Sequence, residues 1–299
     1  MRLRPFELIQ PESVAEAVDA LGRADGEARP IAGGTALVPM IRLGLIRPNR
    51  VITLHRVRGL AEIRAEQGAL HLGAMVTMAD LHRAPVVRSG WPLLAEAAGR
   101  VATPAIRSSA TLGGNLGYAE AASDVAPALL CLEALVETAG PGGERSLSIA
   151  RFFTGFYETA LEPGEIVTGV RVPACPAGAV GGYVKFCSRS AEDKPLVGVA
   201  ALLALDRETG RCREARIALG GAAPTAMRAG HAEMSLRGGA LSDGTIRAAA
   251  EAAAVEADPL SDLMGTADYR REMVRVWVRR LLTALRDGRS LPEPGSSSP

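Results

Sequence analysis

The stretch A-T-L-G-G-N-L-G-Y-A-E-A-A-S-D, residues 110–124, carries the decisive reading. Gly113, Gly114 and Gly117 flank one amide side chain, Asn115, and Thr111 adds a hydroxyl. Glycine lets backbone come close to a ligand and reach positive φ. Ser123 and Asp124 then precede V-A-P-A-L-L-C-L-E-A-L-V, with Pro127 near its start. A cap residue, an early proline and good helix formers predict a helix N-terminus. A glycine-rich loop feeding such a helix turns unpaired amides toward an anion. An ordinary tight turn has the same composition, so the stretch alone leaves both readings open. A second loop lies about eighty residues upstream, P-I-A-G-G-T-A-L-V at 30–38, where Gly33, Gly34 and Thr35 repeat the chemistry. Neither loop fits G-x-G-x-x-G or G-x-x-x-x-G-K-[ST], so neither the Rossmann fingerprint nor a P-loop is supported. Two such loops can clamp one long ligand from two sides.

Composition narrows the classes. The chain has 299 residues, enough for two or three packed units. Aromatics are only 4%, so the cores must rest on Ala, Val and Leu. A net charge of +1 argues against a broad nucleic-acid footprint. Cys131, Cys175, Cys187 and Cys212 are scattered, which suits neither a disulfide framework nor a metal or iron–sulfur site and predicts free, buried thiols. His55, His71 and His82 lack ligand spacing, so no metal residue is expected. The N-terminus lacks a signal-peptide core, and no apolar run reaches the ~18 residues of a membrane span. The expected location is the cytoplasm.

Taken in order, Ser13-Val-Ala-Glu16 is a capping box opening a helix over 13–22. Short strands are expected near 29–32 and 50–57, with a helix or turn at 38–43, giving a small β-α-β unit. Residues 68–76 read as a strand, Thr77 as a helix cap, and 91–101 as an alanine-rich helix. Gly140-Pro-Gly-Gly143 is a turn, and 148–156 a short helix. Its Phe152, Phe153 and Phe156 at helical spacing read as core rather than as a stacking site for a ligand ring. Residues 165–173 alternate as a strand, and 176–182 have linker composition. Strands at 183–187, 197–205 and 215–219 and helices near 243–257 and 267–286 complete an α+β unit. Tyr269, Met273, Trp277 and Leu281 read as the core stripe of the last helix, and the arginines around it as a solvated or partner face. The tail from 287 reads as disordered.

Three motifs together are recognisable: A-G-G-T-A-L-V-P-M at 32–40, T-L-G-G-N followed by S-D, and Y-V-K-F-C-S-R at 183–189. A-L-G-G-A-A-P-T-A-M-R-A and D-P-L-S-D-L-M-G-T-A-D-Y-R-R follow. Over residues 1 to about 285 the chain resembles the FAD-binding medium subunits of molybdenum hydroxylases, of the carbon monoxide dehydrogenase and xanthine dehydrogenase type. The resemblance implies an α+β chain. A two-part FAD-binding domain of the vanillyl-alcohol-oxidase/PCMH type would occupy 1–175, with parts about 1–55 and 56–175. A small C-terminal α+β domain would occupy 176–286.

The resemblance also implies non-covalent FAD and no substrate-hydroxylating residue. Ala32, Gly33, Gly34, Thr35 and Ala36, flanked by Ile31 and Leu37, would cradle the pyrophosphate with Ala110, Thr111, Gly113, Gly114 and Asn115. Asp124 matches a family aspartate at the nucleotide, which would contact a ribose or an amide; a plain helix cap is the alternative. Ile166 or Val167 would touch the flavin region, and Lys185 would lie near the ring, with Arg189 in a mobile loop beside it. Tyr118 and Ala121 depart from the family's usual histidine or threonine and proline. Molybdopterin and [2Fe–2S] clusters would reside on a large and a small partner subunit, in a dimer of heterotrimers. Electrons would leave for an outside acceptor such as NAD⁺ or oxygen. The rival readings are a stand-alone flavin oxidase and a non-catalytic scaffold.

Overall fold

The computed structural model describes residues 4–22, 27–206 and 208–290. The first unit runs β1 (Glu7–Ile9), α1 (Val14–Gly22), β2 (Ala28–Ile31), α2 (Leu37–Leu43) and β3 (Arg50–Thr53). Its three strands are parallel, in the order β1-β3-β2. Half of the capping box forms: the Glu16 amide donates to Ser13 Oγ at 3.2 Å, but Glu16 Oε2 accepts from the Glu12 amide, at 2.9 Å, rather than from that of Ser13.

A hairpin of β4 (Ile63–Glu66) and β5 (Ala69–Gly73) opens the second unit. A helical run follows: α3 (Met78–Arg83), α4 (Pro85–Gly90), α5 (Pro92–Gly99), α6 (Pro104–Arg107), α7 (Leu112–Tyr118) and α8 (Val125–Cys131). Then come β6 (Leu135–Gly140), β7 (Gly143–Ser148), α9 (Ile149–Phe152), β8 (Phe153–Gly155), β9 (Glu158–Thr159) and β10 (Ile166–Val172). Five strands form an antiparallel sheet, β4-β5-β10-β6-β7. Helices α5, α7 and α8 supply much of the adjoining core, with Leu94, Leu112, Leu116 and Leu129 fully buried.

The last unit pairs β11 (Ala179–Phe186), β12 (Val197–Leu205), β13 (Cys212–Gly220) and β14 (Met227–Arg228) in sequence order, followed by α10 (Gly230–Leu236), α11 (Asp243–Glu256) and α12 (Ala267–Asp287). β12 is apolar throughout because both of its faces are covered. Ala200 and Leu202 join the core of the second unit, whereas Val199, Ala201 and Leu203 meet α10–α12.

Several expectations are corrected here. The glycine-rich stretch at 112–118 is not a loop but the short helix α7, capped by Thr111 Oγ1, which accepts from the Gly114 amide at 3.1 Å. None of its glycines has positive φ; Ala119, at φ 52°, closes the helix instead. Asp124 makes no cap bond to α8. The core stripe of α12 is also displaced. Steps of four residues advance about 400° and so drift about 40° each, enough to carry Tyr269 off the face that holds Leu281. The buried face is Arg270, Val274, Trp277, Val278, Leu281 and Leu282, and Tyr269 is exposed. Arg270 is therefore interior rather than solvated. Arg275 pairs with Glu251 and Glu272, and Arg271 with Asp268, so much of the expected arginine face is occupied within the chain. The phenylalanines divide: Phe152 is core and Phe156 exposed. Residues 291–299 of the expected tail lie outside the described residues.

Candidate functional site

A cleft of about 350 Å³ opens between the first two units. One wall is the turn from β2 into α2: Ile31, Ala32, Gly33, Gly34, Thr35, Ala36 and Leu37. The opposite wall is Ala110, Thr111, Gly113, Gly114 and Asn115, and one end is closed by Tyr118, Leu161, Ile166 and Val167. Fourteen of the sixteen sequence-selected residues thus meet in one place; Asp124 and Lys185 do not line it.

The two walls offer different chemistry. On the second, four successive amides are spent: Leu112 donates to Val76 O, Gly113 to Ala74 O, Gly114 to Thr111 Oγ1 and Asn115 to Thr111 O. Gly113 is glycine because a Cβ would sit 2.6 Å from that of Ala74. On the first wall, the amides from Gly33 to Leu37 have no hydrogen-bond partner among the described residues. Gly34 turns the chain at φ +71°, and a Cβ on Gly33 would lie 1.7 Å from the Ser109 carbonyl oxygen. The walls touch there, backbone to backbone. The run of unpaired amides is therefore on the first wall, and the second wall supplies mainly side chains, with the Thr111 amide beside them. Ser123 Oγ donates to Asn115 Oδ1 at 2.7 Å, which leaves the Asn115 NH₂ as a donor.

Behind that wall lies a buried polar cluster between the second unit and β11. Tyr183 donates its hydroxyl to Asp124 Oδ1 at 2.8 Å, and Lys185 Nζ donates to Asp124 Oδ2 at 3.1 Å and to Arg100 O at 2.8 Å. Burial pushes the Asp124 carboxyl up to about 6, against the pull of Lys185 and Tyr183. Asp124 is therefore neither a helix cap nor part of the cleft surface; it ties the C-terminal sheet to the cleft's back wall. Lys185 is its partner, not an open cation.

Sequence reasoning missed two features. Glu165 accepts from Arg145 Nε and Nη2 at 2.8 and 2.6 Å, from Thr138 Oγ1 at 2.5 Å and from the Glu162 amide at 2.8 Å. Burial raises its carboxyl, but these bonds outweigh burial and hold it below the usual range. This network fixes the start of β10, where Ile166 and Val167 face the cleft. The second feature is an aromatic rim. Tyr118 meets Tyr157 at 5.1 Å between ring centroids, Tyr157 meets Phe156 at 4.5 Å, and Tyr157 donates to Glu120 Oε2 at 2.8 Å. Lys194, from the segment after β11, also pairs with Glu120.

The arrangement fits a long anionic cofactor with an aromatic end: unpaired amides on one wall, hydroxyls and an amide opposite, and an apolar terminus. The family described as "FAD binding domain in molybdopterin dehydrogenase" matches residues 4–175, and "CO dehydrogenase flavoprotein C-terminal domain" matches 182–285. This chain belongs to the FAD-binding medium subunits of the molybdenum hydroxylase family. It is 36% identical over 280 residues to the carbon monoxide dehydrogenase medium chain of Hydrogenophaga pseudoflava, covering 93% of this chain and 96% of that one. The alpha subunit of the 6-hydroxypseudooxynicotine dehydrogenase complex of Paenarthrobacter nicotinovorans is 35% identical over 282 residues, covering 94% and 95%. In three dimensions, a chain of carbon monoxide dehydrogenase from Hydrogenophaga pseudoflava superposes with a TM-score of 0.92 at 36% identity, covering 97% of this chain and all of that one. FAD is the cofactor of this domain, and the relatives are subunits of multi-subunit oxidoreductases. Among the described residues no helix is long and apolar enough to cross a membrane.

Proposed function

We propose that this chain is the electron-relay subunit of a cytoplasmic molybdopterin-dependent hydroxylase. It takes electrons from [2Fe–2S] clusters on a small partner subunit and passes them to an external acceptor such as NAD⁺ or oxygen. A large subunit holds molybdopterin and hydroxylates the substrate, and the assembly is a dimer of heterotrimers. The observation that carries this reading is the one-sided row of unpaired amides from Gly33 to Leu37, in a cleft that ends in an apolar pocket. FAD, when bound, supplies the exchange between single-electron donors and two-electron acceptors.

The chain's own residues do the rest. The amides of Gly33–Leu37 and the hydroxyl of Thr35 bind the pyrophosphate, with Thr111 and Asn115 opposite. Ala110, Gly113 and Gly114 form a floor without bulky side chains. Ile166 and Val167 keep water from the ring. Asp124 and Lys185 act from behind the wall, setting its position. In this reading residues 1–175 form the FAD-binding domain, in two parts meeting near residue 55, and 176–286 the C-terminal domain.

The test is anaerobic flavin bleaching. The isolated chain with FAD should not bleach with the complex's organic substrate. Adding the molybdenum and iron–sulfur subunits should make bleaching substrate-dependent. Rapid bleaching of the isolated chain would favour a stand-alone flavin oxidase instead.

A further inference from the structure

The turn of the β8/β9 hairpin carries two adjacent aromatic side chains in water. Phe156, at 52% exposure, is the most exposed aromatic side chain among the described residues, and Tyr157 follows it at 41%. In a chain with only 4% aromatic residues, such a pair is not a by-product of composition. The pair is also held in place. Tyr157 takes φ +59°, a left-handed conformation that bulky side chains rarely adopt. Strain of this kind persists only where surrounding contacts over-determine it, and it clusters at ligand sites. Here the Tyr157 hydroxyl donates to Glu120 Oε2 at 2.8 Å, and its ring packs between those of Tyr118 and Phe156. Lys194 pairs with the same Glu120, and its ammonium lies 5.8 Å from the Tyr118 ring centroid.

This rim is continuous with the cofactor cleft. Tyr118 belongs to both, since it lines the cleft and meets Tyr157 at 5.1 Å between ring centroids. From β9 the chain passes through Ala160, whose amide donates to Phe152 O at 2.8 Å, directly to Leu161, another lining residue of the cleft. Shape and charge select what the rim can hold. Exposed, fixed aromatic faces stack on flat rings. Glu120 and Lys194 cancel one another, so the rim offers little charge to steer a protein acceptor. Molecular oxygen has no ring to stack and needs no platform.

We propose that Phe156 and Tyr157 form a stacking platform for a planar aromatic electron acceptor of the nicotinamide or quinone class, an assignment that rests on the relay reading above. Of the acceptors which that reading leaves open, the platform favours a ring over oxygen. Phe156 supplies the open face. Tyr157, at 75° to it, fixes its tilt, and Glu120 fixes Tyr157. Tyr118 joins the platform to the apolar end of the cleft. These side chains bind and orient the acceptor.

The test is direct binding to the FAD-loaded chain, with NAD⁺ and duroquinone as the two probes. Wild type, Phe156→Ala and Phe156→Tyr are compared by calorimetric titration, with FAD content and melting temperature measured beside it. One probe should bind the wild-type chain, and which one binds names the class of acceptor. Phe156→Ala should weaken that binding about tenfold or more, the loss expected for one stacked aromatic face. Phe156→Tyr keeps the ring and should bind within about threefold of wild type. FAD content and melting temperature should stay at wild-type values in both variants. Saturation-transfer NMR on the wild-type chain needs no variant, and it should give the strongest transfer on the nicotinamide protons or on the quinone methyls. Binding of neither probe, unchanged affinity in Phe156→Ala, or strongest transfer to the adenine protons of NAD⁺ would overturn the platform while leaving the relay standing. If the assembled complex never bleaches its flavin with substrate, the relay falls, and the acceptor assignment falls with it even where a ring binds.

Discussion

Replacing Gly33 with alanine should abolish tight FAD binding while leaving the chain folded. The added Cβ would lie 1.7 Å from Ser109 O, whereas real Cβ atoms stay at least 3.0 Å away, so the walls must part by about 1.3 Å. The carbonyl cannot easily yield. Ser109 and Ala110 both donate to Ile106 O, at 3.0 and 2.7 Å, and Ala110 O accepts from the Met78 amide at 2.9 Å. The displacement must fall on the first loop, whose other amides have no partner to lose. The cost to the apo fold is that of a local overpacking, roughly 1–3 kcal/mol. The cost to FAD is larger. Hydrogen bonds to charged groups contribute about 1.5–3 kcal/mol each, and misplacing two of them gives roughly 3–6 kcal/mol, at least a hundredfold in Kd. Fluorescence titration of apo chain with FAD, beside a thermal melt, separates the two effects. Gly90→Ala is the control, since a Cβ there meets nothing within 4 Å. A Gly33→Ala chain that binds FAD within threefold (roughly 0.6 kcal/mol) of wild type would refute the reasoning.

Thr111→Ala should lower apo stability by about 1 kcal/mol through the lost cap of α7, and Thr111→Ser should restore it in a denaturant titration. Asp124 and Glu165 should give pH slopes of opposite sign. Asp124 is raised from 3.8 to about 6, so its stabilising contribution is present at low pH and is lost as pH rises through about 6. Asp124→Asn should remove that loss, with a ceiling on the order of 3 kcal/mol between pH 4 and 7. Glu165 is lowered, so its contribution is present at neutral pH and is lost on acidification, and Glu165→Gln should flatten the acid limb. In thiol labelling read by mass spectrometry, Cys175 and Cys187 should react in the native chain. Cys131 and Cys212 are buried and should react only after unfolding; burial pushes the Cys131 thiol up to about 12.

Much of the site was legible because its residues are close in sequence. The turn at Gly33–Leu37 and the stretch from Ala110 to Asn115 announce themselves by glycine and hydroxyl content, and both lie in the cleft. What escaped was long-range. Asp124 and Lys185 are 61 residues apart, and Arg145 and Glu165 are 20 apart, so no local pattern pairs them. Of the β4/β5 hairpin, β5 was legible and β4 was missed, because β4 is largely exposed and carries no apolar alternation. The start of strand β6, Leu135 and Val136, was hidden at the end of the apolar run from Val125 to Val136. Helix α8 is buried on every side, and the chain turns only at Glu133, in the left-handed region at φ 52°. A continuous apolar run contains no period from which to tell helix from strand. In α12 the period was legible but its phase was not, and the phase decides that Arg270 points inward.

The central claim is that the cleft binds its cofactor through a pyrophosphate on the amides of Gly33–Leu37. The most direct measurement is the Kd of the isolated apo chain for FAD and for FMN, which share the flavin ring but differ in the pyrophosphate bridge. The account predicts FAD binding at least about a hundredfold tighter than FMN, the equivalent of roughly 3 kcal/mol, with the difference collapsing in Gly33→Ala. Equal affinities for FAD and FMN in the wild-type chain would contradict it.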